Sequence, residues 1–310
     1  MNITLLIPCY NEQKVLPRTI KKLNQILKDM VDYKFLFIDD GSTDGTWDYL
    51  KEQSKIDKRI NAVRLSRNFG KEAALTAGLE NANSDAIIIL DADLQHPPEI
   101  IPEMIKLWQQ GYDVVEGIKE SRGKESFFSK LSAKIFYSMF KKLTGRSIDA
   151  ASDFKLLDRK VVEAWLQFKE RETFFRGLTA WMGFKRIVIP FVVQERETGD
   201  TKWSFRKLLR LSVNALVGFS AKPLLIIPVL AFIMCIGFMV LGIQTLINWF
   251  SGHAVEGFTT VILLLLFIGA AIMISLSLIA LYIANIFNET KGRPRYLISE
   301  KIYPEKTDTR

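Results

Sequence analysis

Two stretches without a charged residue, 224–249 and 257–288, limit what this 310-residue chain can become. Each is longer than the roughly 20 apolar residues that cross a bilayer. A buried helix of a soluble domain rarely runs so far without charge, so two membrane spans are expected, at 224–249 and 258–287. The connector between them holds His253 and Glu256 but no lysine or arginine, whereas Lys202, Arg206, Lys207, Arg210 and Lys222 precede the first span and Lys291, Arg293 and Arg295 follow the second. The positive-inside rule then predicts a multi-pass protein of the plasma membrane with both termini cytoplasmic. Trp249 and Tyr282 suit the membrane–water interface. By this division 1–203 is a cytosolic domain, 204–222 an amphipathic juxtamembrane helix, 223–288 the membrane hairpin and 289–310 a cytosolic tail.

The polar part alternates strand-like and helix-like segments. Apolar runs at 3–7, 35–38, 62–65, 86–90 and 113–116 read as strands, with further strands at 153–158 and 187–193. Helices are expected at 15–30, where Leu16, Ile20, Leu23 and Leu27 share a face, and at 71–81, 98–110 and 173–182. This order predicts an α/β domain with a mostly parallel sheet flanked by helices. Two segments, 127–143 and 204–219, combine apolar residues at helical spacing with lysine and arginine, which suits either a core-facing helix or a basic helix lying on anionic lipid. The N-terminus has no basic, long apolar leader, so no signal peptide is expected. Cys9 and Cys235 are too few and too far apart to suggest a disulfide framework.

The segment Ala86-Ile87-Ile88-Ile89-Leu90-Asp91-Ala92-Asp93 carries the chemistry. Ligands of open α/β sheets bind beyond the carboxyl ends of the strands, where this one delivers two carboxylates one residue apart. If the strand continues, alternation points Asp91 and Asp93 to one side, a placement that a bound cation would favour; an ordinary strand-to-loop turn is the plainer reading. Hard cations such as Mg²⁺ or Mn²⁺ take oxygen ligands and bridge carboxylates to substrate phosphates. Zinc is not expected, because the two histidines and two cysteines are scattered. No Walker lysine loop and no G-x-G-x-x-G fingerprint occurs. The net charge of +8 calls for an anionic partner, and its clustering beside the apolar stretches favours phosphate ligands and a lipid bilayer over nucleic acid.

Seven blocks together resemble family 2 glycosyltransferases, in particular the dolichol-phosphate-mannose-synthase-like branch with its bacterial polyprenyl-phosphate (bactoprenol) members. They are Pro8-Cys9-Tyr10-Asn11-Glu12, Asp39-Asp40-Gly41-Ser42-Thr43-Asp44, Ser66-Arg67-Asn68-Phe69-Gly70-Lys71-Glu72, Asp91-Ala92-Asp93-Leu94-Gln95, Ser152-Asp153-Phe154-Lys155, Gly199-Asp200-Thr201-Lys202-Trp203-Ser204 and Lys291-Gly292-Arg293-Pro294-Arg295-Tyr296. The resemblance implies a GT-A (Rossmann-like) fold and inverting transfer of one sugar, glucose or N-acetylglucosamine, from a nucleotide sugar with UDP the expected carrier, to undecaprenyl phosphate at the inner leaflet. It implies that Pro8, Tyr10, Glu12 and Asp40 hold the nucleoside, that Asp91 and Asp93 bind Mg²⁺ or Mn²⁺, and that Ala92 and Gln95 flank the diphosphate. Arg196 and Lys202 match a basic loop that covers the diphosphate and meets the acceptor phosphate. Asp153 matches a position proposed as general base; the alternative is a structural hydrogen bond. Lys119, with Arg122 beyond it, stands where relatives place an arginine, and lysine lacks that residue's bidentate geometry. The family also leaves room for a homo-oligomer.

Two other readings are open to the same sequence. A processive polysaccharide synthase is expected to carry a Q-x-x-R-W motif and more spans, and neither occurs. A two-span adaptor or transporter subunit with a degenerate transferase domain would not need intact Asp40, Asp91, Asp93 and Lys202.

Overall fold

A computed structural model describes residues 1–28, 32–119, 152–170, 173–191, 224, 226–251 and 257–303. The expected helices at 127–143 and 204–219, Arg122, and the loop with Arg196 and Lys202 lie outside those residues. The chain divides into two compact units, Met1–Lys202 with Arg293–Arg310, and Trp203–Gly292.

The first unit is built on strands β1 (Asn2–Cys9), β2 (Asp32–Asp39), β3 (Ile60–Leu65), β4 (Ala86–Ile89), β5 (Val114–Lys119), β6 (Lys155–Asp158), β7 (Arg186–Phe191) and β8 (Ile298–Ile302). They form one sheet in the order β7-β5-β6-β4-β1-β2-β3-β8. β1 lies between β2 and β4, parallel to both, so the carboxyl ends of all three open on the same edge. The chain winds outward through β2 and β3, then returns to the other side of β1 as β4. This reversal makes a topological switch point, the place where open α/β sheets bind ligands.

Helices α1 (Leu16–Leu27), α2 (Thr46–Ile56) and α3 (Lys71–Asn81) connect these strands, and α4 (Ile101–Gln109) follows a short 3₁₀ turn at Pro98–Ile100. Successive residues Leu5, Leu6 and Ile7, and likewise Ile87, Ile88 and Ile89, are fully buried, so both faces of the central strands are covered. That explains their unbroken apolar character. Helix α1 has no side-chain N-cap; the Glu12 carbonyl receives the Val15 and Leu16 amides at 3.0 and 3.1 Å instead. Burial of Leu16, Ile20, Leu23 and Leu27 holds the helix down at about 1.5–3 kcal/mol per side chain. Gly78 of α3 lies against Leu6, whose side chain would come within 2.1 Å of any Cβ there.

The sheet is mostly parallel, as expected, and three of its details were not read from the sequence. β6 runs antiparallel to both β4 and β5, and helix α5 (Arg159–Leu166) follows it. The segment read as a tail contributes β8, which pairs antiparallel with β3. The strand expected to deliver the paired carboxylates ends at Ile89, and Leu94 there has a positive φ of 58°. Asp91 and Asp93 therefore belong to a turn, and strand alternation does not set their directions.

In the second unit, α7 (Ile226–Phe250) and α8 (Phe258–Thr290) are long and apolar enough to cross a membrane, by length and composition. Most of their described side chains are exposed.

Within the sheet, Glu116 of β5 and Lys155 of β6 are buried together, with Nζ 3.3 Å from Oε1. Lys155 donates to Thr179 Oγ1 at 2.6 Å, Arg186 Nε approaches Glu116 Oε2 at 3.3 Å, and the Ser152 amide donates to Glu116 Oε1 at 2.9 Å. Thr179 lies on helix α6 (Phe175–Trp181). Removing one partner of such a pair strands a buried charge. Lys155→Met is therefore expected to lower folding stability by about 3 kcal/mol, and pairing it with Glu116→Gln to recover part of that loss, as read by thermal unfolding in detergent.

Candidate active site

Two loops meet beyond the carboxyl ends of β1 and β2. Asn11, at a positive φ of 58°, donates its amide to Ser42 Oγ and accepts the Thr43 amide on Oδ1, both at 2.9 Å. The Glu12 amide donates to Thr46 Oγ1 at 2.9 Å. Gly41 adopts a φ of +67°, and a Cβ there would fall 2.4 Å from the Arg67 carbonyl carbon, so only glycine lets this loop pass the 66–68 backbone. The two loops border a crevice of about 530 Å³ lined by Tyr10, Ser42, Arg64, Arg67, Ser299 and Glu300 among others. Tyr10 is 44% exposed on it, while Pro8 is held within β1 opposite Ile38.

Asp39 and Asp40 divide the work beneath this crevice. Asp39 is fully buried; its Oδ1 accepts the Ser42 amide at 3.0 Å and its Oδ2 faces Arg64 Nε at 3.4 Å. Asp40 accepts the amides of Phe69 and Gly70 at 2.7 and 2.8 Å. Both carboxyls are pushed up from the ordinary aspartate range by burial, against the hydrogen bonds they accept. Asp40 thus braces the loop that leads into Lys71.

The second cluster lies beyond β4. Thr19 of α1 donates to the Ala92 carbonyl at 2.6 Å, and the Asp91 amide donates to His96 Nδ1 at 3.2 Å. His96 is stacked on Phe154 with ring centroids 5.0 Å apart. Burial lowers its pKa, which suits a ring nitrogen that accepts a hydrogen bond. Asp93 Oδ1 accepts the Gln95 amide at 3.1 Å, closing the turn.

Lys71, the first residue of α3, joins this turn to the strand end at β6. Its Nζ lies 2.5 Å from Asp91 Oδ1 and 2.8 Å from Asp153 Oδ2. Arg176 of α6 grips Asp153 with two hydrogen bonds, Nε to Oδ1 at 2.7 Å and a terminal nitrogen to Oδ2 at 2.9 Å. Although burial opposes it, the hydrogen bonds from Arg176 and the charges of Lys71 and Arg176 hold the Asp153 carboxyl far below the ordinary range. Lys71 likewise holds Asp91 low despite burial. Next to them Glu72 accepts the Phe175 amide at 2.9 Å, and burial pushes its carboxyl up to about 7.

The structure thus brings Asp91, Ala92, Asp93, Gln95 and Asp153 to one edge, with Pro8, Tyr10, Glu12 and Asp40 on the neighbouring strand ends. Lys119 closes β5 opposite Phe191, and its side chain is outside the described residues. Sequence reasoning missed Thr19, His96 and Arg176, and left Lys71 without a role. Lys71 stood inside a quoted motif, whereas nothing local marks Arg176, which reaches Asp153 only through the packing of α6. Among the described residues no three acidic, histidine or cysteine side chains cluster as metal ligands. Asp91 and Asp93 offer two hard carboxylates on a braced turn, so the donor set suits a divalent cation completed by ligand phosphate and water, and not a protein-only cage.

The sheet, its switch point and the carboxylate turn define an open α/β domain with a polar site at its strand ends. Residues 4–166 match the model of the family described as glycosyl transferase family 2, and the chain belongs to that family. It is 36% identical over 96% of its length to an uncharacterized glycosyltransferase of Bacillus subtilis, covering 93% of that protein. It is also 36% identical to the undecaprenyl-phosphate 4-deoxy-4-formamido-L-arabinose transferase of Photorhabdus laumondii, over 99% of this chain and 96% of that one. With a prophage bactoprenol glucosyl transferase homolog of Escherichia coli it shares 33% identity over 96% of this chain and 98% of the relative.

Glu72 gives the site a pH signature. A carboxyl whose proton is held more tightly in the folded chain adds stability that is full below the ordinary glutamate range and is lost as pH rises to about 7. Asp91 and Asp153 act in the opposite sense, adding stability that fades only as pH falls below the ordinary aspartate range. Glu72→Gln is therefore expected to flatten the fall in thermal midpoint between about pH 5 and pH 8, measured against the parent protein in the same detergent.

Proposed function

We propose that the protein transfers a single sugar, glucose or N-acetylglucosamine, from a UDP-sugar to undecaprenyl phosphate at the inner leaflet, with inversion, and so supplies a lipid-linked sugar for cell-envelope glycosylation. The carrying observation is that relatives named for undecaprenyl-phosphate and bactoprenol transfer align along nearly the whole chain, through the two apolar helices as well as the sheet. The charge pattern either side of those helices supports a cytoplasmic catalytic domain.

In this reading the crevice at Tyr10 takes the nucleoside, with Glu12 and Asp40 shaping it, and the diphosphate extends toward Asp91 and Asp93. Asp91 and Asp93 would hold a Mg²⁺ or Mn²⁺ ion there, which would supply Lewis-acid stabilisation of the leaving diphosphate. An oxygen of the acceptor phosphate attacks the anomeric carbon from the opposite face. The bond from that carbon to the diphosphate oxygen breaks, and its electron pair leaves with the diphosphate. A phosphate monoester is mostly ionised near pH 7, so no strong base is required.

Asp153 fits that requirement. With Arg176 and Lys71 on its oxygens it is a poor proton acceptor and a good anchor. It holds two cationic side chains near the place where anionic phosphates must approach each other. Arg196 and Lys202 would add to that charge from their loop, and Lys119 from the end of β5.

The test is incubation of purified protein with undecaprenyl phosphate, Mg²⁺ or Mn²⁺ and a panel of radiolabelled nucleotide sugars. Label is expected in the lipid phase for one UDP-sugar. Asp93→Ala is expected to lower transfer at least about 100-fold while membrane insertion is unchanged. Undiminished transfer by that variant would remove Asp93 from the site. Absence of nucleotide-sugar binding by the parent protein would favour an adaptor with a degenerate domain.

A further inference from the structure

The chain returns from α8 to the same sheet that carries the donor crevice, and it does so at the crevice itself. Arg295 donates to the Phe168 carbonyl at 2.6 Å, and the Tyr296 hydroxyl is bonded to Glu80. The Ser66 amide then donates to the Leu297 carbonyl at 2.8 Å, and β8 pairs with β3 across an irregularity at Arg64/Leu65. Ser299 and Glu300 lie on the crevice wall beside that irregularity, together with Ser66, Arg67 and Asn68. The family match ends at residue 166, far short of this segment.

Glu300 is tied into the crevice by charge. Its Oε2 lies 2.7 Å from Lys51 Nζ and its Oε1 3.5 Å from an Arg64 terminal nitrogen, with 42% of the side chain exposed. Arg64 is held on its other sides by Asp39, by the Ser42 carbonyl at 3.1 Å and by the ring of Trp47. Ser299 is exposed and donates to the Arg64 carbonyl at 3.2 Å. Each carboxylate oxygen has more than one acceptor site, so Glu300 keeps capacity for ligand donors.

We propose that β8 forms a wall of the donor crevice and that Ser299 and Glu300 meet the nucleoside half of the bound nucleoside diphosphate. A carboxylate on that wall, already paired with Lys51 and Arg64, accepts further hydrogen bonds from a neutral group rich in donors, such as ribose hydroxyls or a base imino N–H. The segment beyond the second apolar helix then acts in donor recognition as well as in completing the sheet edge. This inference rests on the reading of the crevice as the nucleotide site.

The test uses the full chain in detergent with Mg²⁺ and titrates UDP and inorganic pyrophosphate by calorimetry. Loss of one or two hydrogen bonds in Glu300→Ala is expected to raise the UDP Kd about 3–10-fold and leave the pyrophosphate Kd within about twofold. Ser299→Trp, which fills the crevice from a solvent-facing position, is expected to weaken UDP by about tenfold or more with the same indifference to pyrophosphate. Equal weakening of both ligands would show a merely structural role for β8 and overturn the proposal, as would unchanged UDP binding in both variants. If the parent protein binds no nucleoside diphosphate, the functional reading fails and the inference with it; parent binding with unaffected variants overturns the inference alone.

Discussion

The ion chain from Arg176 through Asp153 and Lys71 to Asp91 is the interaction on which the site depends. It links three pieces of backbone that are remote in sequence: the start of α3, the turn after β4 and the segment entering β6. The Lys71–Asp91 link joins partly exposed groups and alone would contribute little, whereas the two links to Asp153 end on a buried carboxylate. Together they alternate sign, so each charge has an opposite neighbour, and both carboxyls stay ionised despite burial. A cation placed on Asp91 would compete with Lys71 for the same oxygen.

Around this chain the fold spends its polar side chains on holding loops. Thr19 fixes the Ala92 carbonyl, His96 fixes the Asp91 amide, Asp40 fixes the amides of Phe69 and Gly70, and Glu116 fixes the amide of Ser152. Each brace lies one or two residues from a group that would meet substrate. In the proposed transfer such rigidity would help, because charges fixed before binding need no reorganisation when the substrate arrives. Asp153, which the family pattern offers as a base or as a structural hydrogen-bond partner, has both its oxygens engaged by Arg176 and Lys71.

The sheet was largely legible. Unbroken apolar runs such as Ile87-Ile88-Ile89 require cover on both faces, and α1 shows its buried stripe at helical spacing, so strands, helices and the position of the carboxylate turn follow from local pattern. β8 was not legible. Ile298-Ser299-Glu300-Lys301-Ile302 is short, polar and charged, as sheet edges often are, and its partner β3 lies more than two hundred residues earlier. The antiparallel direction of β6 was hidden for a related reason, since strand direction depends on the path of the intervening chain. The turn at Asp91–Asp93 differed from its expected strand geometry because β4 ends at Ile89, and Leu94 beyond it adopts a positive φ that no local signal in an apolar residue announces.

The sequence by itself determined the class of this protein: an α/β domain with paired carboxylates at a strand end, two apolar helices of membrane-crossing length, and the motif order of a glycosyltransferase family. These are properties of composition, period and local order, which one chain carries in plain view. Only the tertiary structure decided that Lys71 and Arg176 hold Asp153 ionised, that Asp40 braces a neighbouring loop, and that β8 borders the crevice at Tyr10. Those outcomes depend on distances between residues far apart in the chain, and no local pattern encodes which distant charge a carboxylate will meet.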